Sequence, residues 1–517
     1  MGQIFIYDTT LRDGEQGEGV EFSAEEKVQV ALELDKLGVH YIEGGWPGSN
    51  AKDEKFFQLI RERKLKNAKI VAFTSTRKAG IKAKDDKNLK AVLDAQVSVV
   101  ALFGKTWDKH VRLMNISMKE NLAMIEESVS FLKKKGLEVI YDAEHFFDGY
   151  KENREYALKT LKAAVRGGAD FLTLCDTNGG SLYYEIEEIT SEIFSLFGDK
   201  IKIGIHAHND GGLAVANSIA AVRAGAEKVQ GTINGYGERC GNVDLTSLIP
   251  ILQLKMGCDC LGDKIKKITH TSRVISEIAN MTPYKGRPFV GESAFAHKGG
   301  VHVNLVLKDP SSYEHMDPDL VGNRRRVLIS DLGGKSNIRH KAQEMGITLS
   351  DEDLKAVALL VKDKENRGFK YEAADASLAL LIKEQTGEIE YPFELESFDV
   401  HIHKEKGKPC ASQATIKISS NGESILKVAE GGGPVNALSE AFLKALGKQH
   451  HKIIKDTHLS NFKVRVVNGG GTGAKVRVLS QFRDGNHIWN TVGASEDIIE
   501  ASWQSFWDGM MAKMLKI

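Results

Sequence analysis

Five cysteines in 517 residues are too few, and odd in number, for a disulfide framework. Cys258 and Cys260, one residue apart, are expected to be plain reduced thiols. Charge of one sign is equally absent. The 70 basic and 70 acidic side chains cancel, which removes any general attraction to nucleic acid or to an anionic membrane. No apolar run approaches the roughly 20 residues that a membrane helix needs. The opening MGQIFIYDTT enters a strand-like run without an apolar signal segment, and Ile6 stands where a myristoylation signal wants Ser or Thr. A cytoplasmic protein with neither nucleic-acid nor membrane partner is expected. Nucleotide fingerprints are missing too. GYGERCG at 235–241 has the wrong spacing for a dinucleotide fold, and in GGGTGAK at 469–475 Ala474 occupies the place of a phosphate loop's second glycine.

What is present is alternation. Up to about residue 256, eight short runs rich in Val, Ile and Phe are separated by helical patterns: IFIYDTT, HYIEGGW, KIVAFT, SVVALF, LEVIYDAE, FLTLCDT, IKIGIHAH and KVQGTIN. Stretches such as AEEKVQVALELDKLG repeat apolar residues at three- and four-residue intervals and end in Gly. Eight strand–helix units in roughly 250 residues match a closed (β/α)8 barrel of the TIM type, an α/β fold. An open doubly wound sheet is the runner-up. The chain is too long for one core, and three parts are expected. These are a catalytic barrel at 1–265, helical linker subdomains at 266–390 that cover the active site, and an α+β regulatory or dimerisation domain at 391–517. The last part carries a weak duplication, in which GESILKVAEGGGPVNALSEAFLKALG resembles GNHIWNTVGASEDIIEASWQSFWDGM, consistent with two βββα units.

Active sites of such barrels collect at the carboxyl ends of the strands. Polar residues crowd those ends here: Asp8, Arg12, Asp13, Glu43, Asp142, Glu144, Asp176, Thr177, His206, His208 and Asn234. In IGIHAHNDGG, strand alternation sends His206 and His208 to one face, an arrangement suited to a divalent metal. The pair alone is weak evidence, since His401 and His403 repeat it among lysines. A third ligand is required. Asp210 is nearest in sequence, but Asp13 at the mouth of the first strand is the better candidate, because strands one and seven lie nearly adjacent in a closed barrel. Two imidazoles and a carboxylate accept Zn²⁺, Mn²⁺, Co²⁺ or Mg²⁺. The competing reading of Asp13 is an ion pair with Arg12.

IYDTTLRDGEQ, HAHNDGGLAVANSIAAVRAGA and NGYGERCGNVDL resemble the metal-dependent barrel family of 2-isopropylmalate, homocitrate and citramalate synthases. SAFAHKGGVHVNLVL at 293–307 looks like the family's linker motif, and GGGPVNAL, NFKVRVV and GTGAKVRVL look like its C-terminal regulatory domain. Lyases and carboxyltransferases that share the first motif lack that domain. IEGGWPGSN, DAEHFFDGY and GNRRRVLISDLGGKSN look most like the family's long citramalate-forming members.

The resemblance implies condensation of acetyl-CoA with a 2-keto acid, here pyruvate, followed by thioester hydrolysis. It implies Asp13, His206 and His208 as metal ligands, with Asn242 at or near the metal. Arg12 is placed to stabilise the developing negative oxygen, and Thr177 to hold the substrate carboxylate. Glu144 is the first choice of base, assisted by the linker residue His302, while His297 is expected to face solvent. The family's linker usually supplies a tyrosine downstream, where this chain has NRRRVL; that arginine run is a candidate for coenzyme A phosphates. Selectivity for pyruvate is expected around Trp46, Phe73 and Leu102. Feedback by isoleucine at 391–517 is implied, with the glycine turns at 431–433 and 469–473 as places for a ligand carboxylate, together with a homodimer or higher oligomer. Two other readings stand beside this one: a 2-isopropylmalate synthase taking 2-ketoisovalerate, and an amino-acid-sensing protein with an inert barrel.

Overall fold

Each of the eight β-branched runs forms a strand in the computed structural model, which describes residues 2–329, 334–467, 471–485 and 487–517. The strands are β1 (Phe5–Asp8), β2 (Tyr41–Gly45), β3 (Lys69–Ser75), β4 (Val99–Lys105), β5 (Glu138–Glu144), β6 (Phe171–Asp176), β7 (Lys202–Ala207) and β8 (Lys228–Gly231). All pair in parallel, and β8 pairs with β1, so the sheet closes into a barrel in chain order. The closed barrel is the expected fold; the open sheet is excluded.

The helices between the strands are α1 (Ala24–Leu37), α2 (Ala51–Arg61), α3 (Lys87–Asp94), α4 (Asp108–Leu113), α5 (Met118–Lys134), α6 (Phe146–Gly167), α7 (Tyr183–Phe197) and α8 (Ala214–Arg223). Their ends are written locally. Helix α1 starts in a capping box, where Ser23 Oγ accepts from Glu26 N–H and the Glu26 carboxylate accepts from Ser23 N–H; it stops at Gly38 in the left-handed region. After β8 come α9 (Leu245–Pro250) and α10 (Ile268–Ile278).

Alternation along each strand separates two cores. Ile6, Ile42, Val100, Leu102, Tyr141, Leu172, Ile205 and Val229 are buried against the helices. Tyr7, Tyr41, Val71, Phe73, Val99, Ala101, Ile140 and Phe171 fill the barrel interior. The same interior face continues toward the carboxyl ends as Glu43, Asp142, Thr173, His206 and Gln230, all buried.

By compactness the chain divides into two units, residues 1–295 with 316–324, and residues 296–315 with 325–517. The barrel unit therefore runs past 265, because Ile268 and Ile275 of α10 are buried in the barrel's outer core. In the second unit β9 (Ala296–His297) pairs with β10 (Arg326–Val327), alongside α11 (Gly300–Lys308), α12 (Lys335–Glu344), α13 (Asp351–Asn366) and α14 (Asp375–Gln385). Two antiparallel three-stranded sheets follow: β11 (Glu394–His403), β12 (Ala411–Ser420) and β13 (Glu423–Gly431) before α15 (Pro434–Ala445) and α16 (Lys448–Ile454), and β14 (His458–Val466), β15 (Val476–Asp484) and β16 (His487–Ser495) before α17 (Ile498–Met514). Phe442 of α15 and Trp503 of α17 share a core with Ile416 and Phe482. Ser377 of α14 donates to Asp508 of α17 at 2.5 Å and accepts from Val492 N–H of β16 at 3.0 Å.

Candidate active site at the carboxyl rim of the barrel

Strand alternation turns His206 inward, and His208, just past the end of β7, follows it on the same face. Their Nε2 atoms lie 3.3 Å apart. Asp13, in the loop after β1, places Oδ2 at 3.3 Å from His206 Nε2 and 3.8 Å from His208 Nε2. All three residues are buried. Among the described residues they form the one cluster of three or more His, Cys, Asp or Glu side chains with metal-ligand spacing. The alternative acid, Asp210, is committed elsewhere: its carboxylate accepts from Arg239 at 2.7 and 3.0 Å.

Charge at the cluster is divided unevenly. Burial would raise Asp13, but the Arg12 guanidinium and His206 hold it well below the usual carboxylate range. Burial lowers His206, yet its hydrogen bond to Asp13 outweighs that and leaves it raised. Burial and the neighbouring His206 push His208 down to about 4, so at neutral pH it is an uncharged imidazole with a lone pair to give.

Arg12 does pair with Asp13, at 3.2 Å, as well as with Glu43 through Nε at 2.8 Å. Glu43 is fully buried and also accepts from Tyr7 Oη–H at 2.7 Å and from the Thr9 hydroxyl. The guanidinium carbon sits over the Phe73 ring, 3.8 Å from its centroid. Held on three sides, it keeps Nη2 without a protein hydrogen bond among the described residues. Trp46, Phe73 and Phe103 continue the wall beside it, with centroids 5.2–5.6 Å apart. Leu102 is not part of this wall. Strand period two sends it outward to the helices, and its successor Phe103 takes the inward place.

Asn242 sits opposite His208 across an antiparallel bridge and is buried; its Nδ2 donates to Tyr236 O at 3.4 Å while Oδ1 has no partner among the described residues. Gly237 has φ +148°, a conformation that favours glycine, and a Cβ there would lie 2.2 Å from Asn242 Nδ2 and displace that amide. Thr177 Oγ1 accepts from His145 N–H at 2.9 Å, leaving its own proton to donate. Glu144, at the end of β5, forms an ion pair with Lys105. Other strand-end polar residues are occupied by structural partners. Asp8 accepts from Thr10 N–H and Oγ1–H at 2.9 Å, Asp176 holds Ser181, and Asn234 bonds Ser272 and Ser276.

His302 belongs to the second unit, on α11. Its ring stacks on Tyr313 with centroids 4.4 Å apart. That tyrosine was not anticipated: it stands in SSYEHM, upstream of the NRRRVL stretch where a tyrosine was sought. His297 does not face solvent as expected. It bonds Glu314 at 3.0 Å, and Arg325 of the arginine run closes on the same carboxylate at 2.7 and 2.6 Å. Of the glycine turns, Gly432 N–H already donates to Asn436 at 3.0 Å, and residues 469 and 470 lie outside the described residues.

The HMGL-like family model matches residues 3–275, a homocitrate synthase post-HMGL domain-like model residues 289–368, and a LeuA allosteric (dimerisation) domain model residues 372–514. An (R)-citramalate synthase of Aquifex aeolicus is 48% identical over 99% of this chain and 98% of its own length. One from Synechocystis sp. is also 48% identical, over 98% of this chain and 95% of its own length. The chain belongs to the (R)-citramalate synthase family. A probable 2-isopropylmalate synthase of Methanopyrus kandleri is more distant, at 32% identity over 98% of both chains. Membership of the citramalate synthases makes this an acyltransferase-type enzyme. No helix among the described residues is long and apolar enough to cross a membrane.

Proposed function

We propose that the chain condenses acetyl-CoA with pyruvate and hydrolyses the thioester, releasing (R)-citramalate and CoA in the cytoplasm as a step toward isoleucine. What carries this reading is the Asp13–His206–His208 cluster beside Arg12, in a chain that matches (R)-citramalate synthases along nearly its whole length.

The donor set fits a divalent cation. A carboxylate kept charged, an imidazole kept neutral and the orphaned Asn242 Oδ1 all favour a positive ion. Asp13, His206 and His208, with Asn242 beside them, would hold such an ion, which would supply Lewis acidity toward the keto acid. As the new carbon–carbon bond forms, negative charge gathers on the former keto oxygen. The free Nη2 of Arg12, fixed by Glu43 and Phe73, is the donor that meets it. The Thr177 hydroxyl donates to the substrate carboxylate. Glu144, steadied by Lys105, takes the proton from the acetyl methyl group. Trp46, Phe73 and Phe103 limit the keto acid to a methyl side chain.

The match of residues 372–514 to an allosteric dimerisation domain supports a homodimer that binds an amino-acid effector, isoleucine, in the second unit. Initial rates titrated with isoleucine read that part directly, and unchanged rates at millimolar effector remove it. The principal test is mass identification of the product from acetyl-CoA with pyruvate and 2-ketoisovalerate together. Citramalate is expected, and its formation stops after chelation and returns with added divalent metal. Isopropylmalate as main product indicates the sister activity, absence of CoA release indicates an inert sensor, and full turnover after chelation overturns the metal site.

A further inference from the structure

The inward face of β8 carries Lys228 and Gln230, both buried, and neither has a part in the chemistry above. Gln230 Oε1 lies 2.9 Å from His206 Nδ1, while its Nε2 donates to Asp142 Oδ1 at 3.0 Å and to Thr173 Oγ1 at 3.4 Å. An amide is nearly symmetric in shape, so its neighbours decide which way it points. A carboxylate only accepts. The amide NH2 therefore faces Asp142, and the amide carbonyl faces His206. A carbonyl also only accepts, so the proton of His206 sits on Nδ1. Nε2, the nitrogen 3.3 Å from both Asp13 Oδ2 and His208 Nε2, is then the one whose proton, shared with Asp13 here, a cation would replace.

Behind this relay lies a buried cation. Lys228 is fully buried; its ammonium attracts Asp142 and rests 4.4 Å from the Phe171 ring centroid, without a hydrogen-bond partner among the described residues. Its stem passes so close to β7 that a Cβ on Gly204 would lie 2.9 Å from Lys228 Cε and 3.3 Å from Thr173 Oγ1. Three strands thus spend buried polar groups on the orientation of one imidazole.

We infer that Gln230, backed by Asp142 and Lys228, is a positioning residue that sets the tautomer and ring orientation of His206 for a divalent cation. This rests on the metal-site reading proposed above, and the experiment separates the two. Mn²⁺ is titrated into the chelator-stripped full chain with free Mn²⁺ followed by electron paramagnetic resonance, and unfolding is measured separately in chelator. Gln230→Leu is expected to weaken Mn²⁺ binding by about 10–100-fold, the usual effect of losing a histidine's supporting partner. Gln230→Glu is expected to recover most of the affinity, because a neutral carboxylic acid accepts from His206 and donates to Asp142 as the amide does. In the Zn²⁺-loaded wild type with ¹⁵N-labelled histidine, His206 is expected to carry its proton on Nδ1. Wild-type Mn²⁺ affinity in a normally folded Gln230→Leu protein, or metal on Nδ1 of His206, overturns the inference. Absence of Mn²⁺ binding by the wild type overturns the metal site itself. If the Leu variant fails to fold, the Zn²⁺-loaded wild-type spectrum decides alone.

Discussion

Two adjacent residues of β4 provide a sharp test of the substrate wall, because they face opposite ways. Leu102 is fully buried against the helices, and Phe103 stacks inward on Phe73 at 5.2 Å, next to the ring that carries Arg12. Leu102→Ala leaves a cavity in the outer core and is expected to cost about 2–5 kcal/mol of stability without changing which keto acid is used. Phe103→Ala instead opens the inner wall. The isopropyl group of 2-ketoisovalerate exceeds the methyl of pyruvate by two carbons. At about 0.8 kcal/mol per buried methylene, accommodating both is worth about 1.6 kcal/mol, or roughly 15-fold. Specificity constants for the two acids, measured on wild type and both variants, are the assay. The pyruvate preference is expected to fall by about 10–20-fold in Phe103→Ala and to hold in Leu102→Ala. An equal shift in both variants, or none in Phe103→Ala, refutes the assignment of faces and with it the selectivity argument.

Two further predictions address stability. Burial raises the Asp508 carboxyl to about 7 although Ser377 donates to it. Its folded value exceeds the unfolded value of about 4, so its contribution is complete below about pH 4 and is lost as pH rises through 7. Asp508→Asn is expected to flatten the pH dependence of the urea midpoint across that window, followed by fluorescence of Trp503 and Trp507 on the same helix; parallel curves for variant and wild type exclude this. Gly241 and Gly136 both have positive φ, at +83° and +85°, but a Cβ on Gly241 would meet Gly235 O at 1.9 Å while one on Gly136 meets open space. Gly136→Ala is expected to cost about 1–2 kcal/mol for the backbone alone. Gly241→Ala should cost clearly more and weaken Mn²⁺ binding, since it displaces the loop that carries Asn242; equal losses in urea denaturation refute this.

The regular parts of the molecule were legible because their signals are local. Period-two alternation announces a strand and the face each side chain takes, which is how His206 and His208 are known to be companions without coordinates. Gly38 after AEEKVQVALELDKL, and eight repeats of strand and helix, announce a barrel in the same way. The candidate site was readable as a list of strand-end residues, since the fold gathers those ends into one rim. The list was too generous: Asp8 and Asp176 turn out to hold their own loops, and Asn234 ties its loop to α10. For Leu102 and Phe103 the pattern VVALF is apolar on both faces, so alternation carries no contrast, and only ring closure reveals which face is interior.

By itself, then, the chain's order of residues determined the elements, their faces and the residue types at the rim. Tertiary structure alone decided the partnerships. Arg239 removes Asp210 from competition and leaves Asp13 to the histidines; Tyr313 reaches His302; Gln230 braces His206. The reason is physical. Backbone periodicity acts over a few residues, whereas a carboxylate chooses among cations, and an imidazole among acceptors, only after the closing barrel has brought distant strands within hydrogen-bonding distance.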